Sequence, residues 1–167
     1  MVLKYRPVEG RDLEVICSFP QSEAELFYFY PKAHYPLTLR QLEEAVARRA
    51  NSTVVERDGE VVGFANFYRW DGGVCCIGNL VVAPHARGQG VAGDLVRTMV
   101  SLARTEHNAV EVRISCFNSN TAGLLLYAGL GFAPFAIEER AGPDGARVAL
   151  IHMRYQEEPN QALKPTG

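Results

Sequence analysis

The chain lacks the features that mark several large classes of protein. Its 167 residues contain no run of about 18 uncharged apolar residues, which a transmembrane helix requires. The N-terminal stretch carries charges where a secretory signal has its apolar segment. The net charge of -2 provides no long-range field that would favour nucleic acid. We therefore expect a cytoplasmic protein with neither a membrane nor a nucleic acid as partner.

Metal-binding and disulfide patterns are also missing. The four cysteines form no C-x-x-C pair, and the four histidines are scattered with no i, i+4 pair among them. Three of the cysteines lie in strand-like apolar runs, which favours buried thiols over metal or redox chemistry. The sequence therefore predicts no metal site.

What is present is typical of an ordinary globular domain. Hydrophobic residues make up 47% of the chain and charged residues 22%, near the averages for soluble proteins. The length is that of one domain with a sizeable core. We expect a single domain over residues 1–156, and the polar residues 157–167, with two prolines, as a loosely ordered tail.

Hydrophobic periodicity predicts the elements of the first half. Ser22 and Thr38 are the expected N-caps of two helices, and Glu25 completes a capping box with Ser22. Asp-Gly turns separate three strand-like runs, a strong signal for hairpins. The expected elements are strand 2–8, short helix 12–18, a helix beginning after Ser22, a helix beginning after Thr38, and strands 52–57, 60–69 and 74–82.

The second half begins with a change of period. After Pro84 the apolar residues recur about every 3.6 positions, which predicts a long helix over 88–107. The next strand, 110–117, alternates and directs one set of side chains to the core: Val110, Val112, Ile114 and Cys116. A short helix over 120–128 and a hairpin of strands 132–140 and 147–155 complete the chain.

These elements predict the fold class. With two helices counted between the first two strands, the order is β-α-α-β-β-β-α-β-α-β-β. An antiparallel meander followed by one β-α-β crossover makes this an α/β (α+β) domain. We expect a mixed, mostly antiparallel central sheet of about seven strands flanked by helices.

One glycine-rich stretch points to phosphate binding. Residues 88–93, GQGVAG, fit the dinucleotide fingerprint G-x-G-x-x-G, but a three-strand meander precedes them and the nearest suitable acid, Glu111, opens the next strand instead of closing it. What this stretch shares with the dinucleotide fingerprint is a strand, a turn, and a helix whose first N–H groups are free to bind an anion. The alternative is that the glycines, Gly93 above all, only allow close packing of the helix.

Two motifs resemble a known family. Residues 79–92, NLVVAPHARGQGVA, resemble the acetyl-coenzyme A loop Q/R-x-x-G-x-G/A of the GNAT family of N-acetyltransferases. Residues 118–132, NSNTAGLLLYAGLGF, are similar to the second signature of that family, an Asn followed seven residues later by Tyr and then by L-G-F. The resemblance extends over about residues 2–155 and implies a GNAT-like fold.

The resemblance also implies acetyl-CoA as cofactor and a set of site residues. Main-chain N–H groups of the loop would hold the pyrophosphate, the strand before it would lie beside the pantetheine arm, and Asn120 would contact the cofactor, although it is equally well an N-cap. Tyr127 would be the general acid. The implied cofactor-binding residues are Leu80, Val81, Val82, Arg87, Gly88, Gln89, Gly90, Val91, Ala92, Gly93 and Asn120.

The sequence departs from many relatives where a general base is expected. Those relatives carry a carboxylate near the end of the fourth or fifth strand, whereas this chain has Asn79 and Ser115 there. Glu111 shares a strand face with Ser115 but lies about 13 Å away along the strand. We therefore predict no dedicated carboxylate base, so that water and backbone carbonyls take the proton.

The acceptor is less well defined than the cofactor. In the family the two early helices and the late hairpin set specificity, and here residues 27–35 are rich in aromatic side chains. We expect Phe27, Tyr30 and Tyr35 to line the acceptor site.

The predicted function is acetylation of a primary amine of a small molecule. Acetylation of protein N-termini and a non-catalytic acyl-CoA sensor are the alternatives, and a homodimer paired through the late strands stays open.

Overall fold

The computed structural model describes residues 2–156, which form seven strands and five helices besides two short 3-10 turns. The strands are β1 Leu3–Pro7, β2 Ala50–Arg57, β3 Glu60–Arg69, β4 Val74–Val82, β5 Glu111–Phe117, β6 Phe132–Ala141 and β7 Arg147–Tyr155. The helices are α1 Leu13–Cys17, α2 Glu23–Phe29, α3 Leu39–Arg48, α4 Val91–His107 and α5 Thr121–Gly129.

All seven strands form one sheet, in the order β1-β2-β3-β4-β5-β7-β6. Every neighbouring pair is antiparallel except β4 and β5, which are parallel. A parallel pair requires a crossover connection, and α4 provides it. The predicted mixed, mostly antiparallel sheet of seven strands is therefore confirmed.

Helices cover both faces of the sheet. On one face Leu95 of α4 packs over Gly63, which has no Cβ to obstruct it. On the other face Phe29 of α2 meets Phe64 edge-on, with 6.4 Å between ring centroids. Because β3 is covered on both faces, its middle residues 62–67 are buried without alternation. We call these the α4–α5 face and the α2–α3 face.

The helix caps follow the sequence closely. The Ser22 hydroxyl accepts a hydrogen bond from the Glu25 N–H at 3.1 Å, and the Thr38 hydroxyl accepts one from the Gln41 N–H at 3.4 Å. Both predicted N-caps are confirmed. The Glu25 carboxylate accepts from the N–H of Gln21 at 3.0 Å rather than from that of Ser22, so the capping box is displaced by one residue.

Three sequence-based predictions are corrected. Three helices, not two, lie between β1 and β2, because the short segment α1 is a separate helix. Helix α4 begins at Val91 and not at residue 88, because Gly88 and Gly90 have φ angles of 71° and 83° that no right-handed helix accepts. Val110 lies before β5 and is 90% exposed, so it is not a core residue.

No helix among residues 2–156 is long and apolar enough to cross a membrane. The expected tail, residues 157–167, lies outside the described residues.

Candidate active site

The parallel strands β4 and β5 separate partway along their length. They pair from Val74 with Glu111 as far as Ile77 with Ile114, and within the described chain no pairing continues beyond that rung. β4 nevertheless runs on to Val82, and β5 runs on to Phe117 while pairing with β7 on its other side. The facing edges of residues 78–82 and 115–117 therefore enclose an opening, the β4–β5 gap.

A bulge in β4 accounts for the separation. Between Gly78 and Val81 the register against β3 shifts, and Asn79 in this bulge has a φ angle of 45°. A bulge bends its strand and increases the local twist. The Asn79 amide is buried, accepts from Asn66 Nδ2 at 2.9 Å and donates to the Phe29 carbonyl at 3.0 Å. Its side chain thus joins the bulge to the end of α2.

The glycine loop opens α4 at one end of the gap. Gly90 is the N-cap of the helix, and the Asp94 N–H donates back to its carbonyl at 3.1 Å. The N–H groups of Val91, Ala92 and Gly93 have no carbonyl one turn earlier in the helix. A Cβ placed on Gly88 or Gly90 would have no atom within 4 Å, so open space lies beside both residues.

Arg87 braces this loop with its side chain. Its guanidinium donates to the Val82 carbonyl at 3.1 Å, to the Phe19 carbonyl at 3.0 Å, and to the Glu25 carboxylate. All three partners belong to the protein, so the side chain fixes the loop against α2. Glu25 is accordingly committed to an ion pair.

Tyr127 lies on α5 beneath β5. It is 7% exposed and meets Phe132 edge-on at 6.3 Å between ring centroids. Among residues 2–156 its hydroxyl has no hydrogen-bond partner. Burial, reinforced by the neighbouring Cys116 thiol, raises the pKa of Tyr127 well above its usual value. The phenol therefore keeps its proton at neutral pH.

Asn120 is the N-cap of α5, since its Oδ1 accepts from the Gly123 N–H at 3.0 Å. A Cβ added to Gly123 would lie only 2.7 Å from Asn120 Nδ2, so the Asn120 amide packs closely over this glycine. The N-cap role that the sequence offered for Asn120 is therefore confirmed. A contact between Asn120 and the cofactor stays a prediction.

On the α2–α3 face, a chain of hydrogen bonds leads away from the gap. Ser115 Oγ lies 2.7 Å from His152 Nδ1, and His152 Nε2 lies 2.9 Å from Glu138 Oε1. Arg140 and His152 hold the pKa of Glu138 below its usual value, so this carboxylate is ionised and accepts. In the neutral tautomer that donates from Nε2 to this carboxylate, Nδ1 can accept from Ser115. Tyr68 extends the chain, with its hydroxyl 3.4 Å from Ser115 Oγ.

The aromatic side chains of residues 27–35, at the end of α2 and just after it, lie in two different places. Phe27 stacks on Phe117 at 4.3 Å between centroids, and with Tyr35 it lines a cavity of about 370 Å³ that the β6–β7 turn closes at Gly142 and Pro143. Tyr30 instead faces Arg49, whose Cζ lies 5.9 Å from its ring centroid. The role of all three aromatic residues in acceptor binding stays a prediction.

Four polar residues near the gap were missed by sequence reasoning: Arg49, Tyr68, Glu138 and His152. His152 meets Ser115 only because β5 and β7 pair in the register Ser115 with His152. Glu138 reaches His152 because Ala136 pairs with His152 in the β6–β7 register. Glu138 lies two residues further along β6 and so projects from the same face of the sheet as Ala136. The alternation of β7 would have placed His152 on one face, but no local signal predicts the register.

The described residues fit acetyl-CoA. The open space beside Gly88 and Gly90 and the free N–H groups of the first turn of α4 suit a pyrophosphate. The unpaired edge of β4 suits an extended arm that adds to it as a strand would.

Comparison with known proteins agrees with this geometry. Three solved structures share the fold. An acetyltransferase from Salmonella typhimurium with its cofactor acetyl-CoA superimposes with a TM-score of 0.72 at 20% identity, covering 95% of each chain. A chimera of the spermidine N-acetyltransferase from Vibrio cholerae gives 0.76 at 20% identity, covering 92% of this chain and 94% of its own. The ribosomal-protein-alanine N-acetyltransferase from Brucella melitensis gives 0.73 at 21% identity, covering 90% and 98%.

The sequence model described as "Acetyltransferase (GNAT) family" matches residues 17–132, which include the β4–β5 gap, the glycine loop and Tyr127. This match spans more than half of the chain and agrees with the resemblance of the two motifs. The chain therefore belongs to the GNAT family and is an N-acetyltransferase that uses acetyl-CoA.

Proposed function

We propose that this enzyme transfers the acetyl group directly from acetyl-CoA to the primary amine of a small molecule. The observation that carries the proposal is the β4–β5 gap, which connects the glycine loop on one side to Ser115 on the other. A substrate amine and a thioester carbonyl would meet inside the gap without a covalent enzyme intermediate. No thiol is needed as a nucleophile, and burial raises the pKa of Cys116 to about 11.

The cofactor would be held mainly by main chain. The N–H groups from Arg87 through Ala92 would bind the pyrophosphate, and residues 80–82 would bind the pantetheine amides. Acetyl-CoA supplies the acetyl group as a thioester, whose carbonyl carbon bonds to the amine nitrogen as the C–S bond breaks. A backbone N–H at the β4 edge would stabilise the negative charge that develops on the carbonyl oxygen.

Tyr127 would supply the proton that the departing sulfur takes up. A phenol whose pKa is raised by burial stays protonated until a strong base forms beside it. The unpartnered hydroxyl is free to donate, since it makes no competing hydrogen bond within residues 2–156. Tyr127 is thus proposed as the catalytic acid.

The proton of the substrate ammonium would leave through Ser115. An alkyl ammonium has a pKa near 10.4, so it must lose a proton before it attacks. The Ser115 hydroxyl would accept from the ammonium and donate to His152 Nδ1, 2.7 Å away. Glu138 at Nε2 stabilises the imidazolium that results. This relay replaces the water and backbone carbonyls that we expected from the sequence to take the proton. That no carboxylate acts directly as base stays a prediction, since Glu138 would act only through His152.

A small acceptor suits the space beside the gap better than a peptide. The cavity of about 370 Å³ is lined by Phe27 and Tyr35 on one side and by the β6–β7 turn on the other. Its volume is in the lower range for small-molecule sites. An open groove for an extended protein N-terminus would require this turn to stand away from α2.

Release of the coenzyme A thiol across a panel of amines tests the proposal. We expect turnover with small primary amines and none with peptides that carry a free N-terminus. Turnover of peptides alone would overturn the small-molecule assignment. Binding of acetyl-CoA without turnover of any amine would favour the acyl-CoA sensor, and acetyl-CoA affinity measured by calorimetry separates that outcome from a misfolded protein.

A further inference from the structure

Arg49, just after α3, holds a positive charge close to the gap without an acidic partner. Its Nη1 donates to the Asn66 side chain at 3.2 Å, and its Cζ lies 5.9 Å from the Tyr30 ring centroid and 5.7 Å from that of Tyr68. Within residues 2–156 no carboxylate oxygen lies within 4.0 Å of its guanidinium nitrogens. The two rings confine a planar cation whose remaining N–H groups have no hydrogen-bond partner in this part of the chain.

Two other partly buried arginines, by contrast, are paired with carboxylates. Arg6 is paired with both Asp12 and Glu56, at 2.7 Å each, and Arg113 is paired with Glu111. Burial lowers the pKa of Arg49, with the two tyrosine rings acting in the opposite direction. An isolated charge taken out of water costs free energy unless a ligand compensates it. Within residues 2–156 no anion compensates this charge, so its guanidinium is available to an anionic ligand.

The position of Arg49 identifies the compartment where that anion would lie. Its Nη1 is 2.7 Å from where a Cβ on Gly78 would stand, and Gly78 is the first β4 residue beyond the last rung shared with β5. Tyr68 packs on the same glycine, and its hydroxyl reaches Ser115. Arg49 and Ser115 thus both contact Tyr68, Arg49 over its ring and Ser115 at its hydroxyl, on the α2–α3 face of the gap.

We propose that Arg49 binds the carboxylate of the acceptor, so that the preferred substrates are free amino acids whose amine is directed to Ser115. The inference rests on the proposed function, because it assigns the substrate class of the same site. The planar guanidinium fork matches a carboxylate in two parallel hydrogen bonds. A free amino acid carries a carboxylate a few bonds from its amine, whereas a peptide N-terminus or a polyamine has none there.

Matched acceptors and variants test this assignment. Coenzyme A release is measured for free amino acids, for their carboxamides and for the decarboxylated amines, with the wild-type enzyme, Arg49→Gln, Arg49→Lys and the exposed neighbour Arg48→Gln. In wild type we expect kcat/KM to be about 30-fold higher for amino acids than for carboxamides, the effect of charged hydrogen bonds. Arg49→Gln should remove that preference, Arg49→Lys should restore part of it, and Arg48→Gln should keep it.

The ratio between acceptors is the decisive quantity, since a general loss of stability lowers both rates together. Equal use of carboxamides and amino acids by the wild-type enzyme would overturn the role of Arg49 and leave the proposed function standing. If no amine is acetylated, the proposed function fails. Calorimetric binding of amino acids against carboxamides to the protein saturated with coenzyme A then still decides the role of Arg49: equal affinities refute it, and a preference that Arg49→Gln abolishes supports it.

Discussion

The two sides of the β4–β5 gap are built in different ways. The proposed cofactor side consists of the main chain of two short segments, residues 80–82 and 87–93, the second of which contains the glycine N-cap of α4. The proposed acceptor side consists of side chains from separate elements, with Arg49 after α3, Tyr68 on β3, Ser115 on β5 and His152 on β7. The main chain suits a cofactor that is common to a family. Side chains can be exchanged individually, so they suit the acceptor, which differs between enzymes.

The two arginines nearest the gap illustrate the same contrast. Arg87 on the cofactor side donates its guanidinium N–H groups to Glu25 and to two backbone carbonyls, and so acts as a structural brace. Within residues 2–156, Arg49 on the proposed acceptor side makes a single side-chain hydrogen bond, to Asn66, and its other guanidinium N–H groups have no partner. A saturated arginine fixes a loop, whereas an unsaturated one is available to a ligand.

The largest expected effect is that of Tyr127→Phe, which removes the proposed acid between the two sides. We expect kcat to fall roughly 10²- to 10³-fold, the usual contribution of acid-base catalysis. Acetyl-CoA affinity should be unchanged, because the ring stays packed on Phe132. Tyr155→Phe is the matched control, since that ring also packs on Phe132, at 5.3 Å. An unchanged kcat in Tyr127→Phe, by pre-steady-state kinetics, would remove the acid role.

Gly90→Val tests the main-chain side. Gly90 and Gly59 have nearly the same φ, 83° and 82°, and a Cβ added to either glycine would have no atom within 4 Å. Valine at either site therefore carries similar backbone strain, about 1–2 kcal/mol. We expect a similar fall in Tm for Gly90→Val and Gly59→Val. Only Gly90→Val should raise the KM for acetyl-CoA, by about 50-fold, because it displaces N–H groups that bind charged phosphates.

If the KM for acetyl-CoA stays at the wild-type value in both Gly90→Val and Gly59→Val, the glycine loop does not hold the cofactor. A KM increase in both variants would indicate that strain alone is responsible. Acetyl-CoA affinity by calorimetry and Tm by thermal unfolding separate these outcomes.

The same contrast explains what could be predicted from sequence. The cofactor side is local, so the strand 74–82, the glycine turn and the long helix followed from periodicity and from glycine chemistry. The start of α4 was wrong because both glycines were assigned to the helix, whereas their positive φ angles place them in the turn before it. Val110 was assigned to the core because it continues the alternation of β5, although the strand begins one residue later.

The acceptor side could not be predicted because its residues meet through register. Ser115 and His152 are 37 positions apart in the chain and become neighbours only through the β5–β7 pairing. Arg49 directly follows Arg48 at the end of an amphipathic helix and is indistinguishable by sequence from that exposed residue. Its contacts with Asn66, Tyr30 and Tyr68 depend on how α3 packs against the sheet.

His152→Ala tests the side-chain relay on the acceptor side. We expect kcat to fall about 20-fold, less than for Tyr127→Phe, because water can take over part of the proton transfer that the imidazole performs. The KM for acetyl-CoA should be unchanged, since His152 lies on the opposite face from the glycine loop. Added imidazole should restore part of kcat if the ring carries a proton. A loss that imidazole does not relieve would mean that His152 only supports the packing of β6 and β7.

The smallest effect is expected for Glu138→Gln, compared with Glu139→Gln. Glu138 would act only as a positioning residue, by keeping the His152 proton on Nε2, 2.9 Å from its carboxylate. A glutamine amide pairs with either tautomer of the ring, so the orientation is lost in part and kcat should fall about fivefold. Glu139, the next residue of β6, is paired with Arg147 instead, and its variant should keep wild-type kcat. Equal values of kcat in the two variants would show that the relay ends at His152. A loss in Glu138→Gln as large as in His152→Ala would instead make the ionised carboxylate essential, because the imidazolium could not form without it.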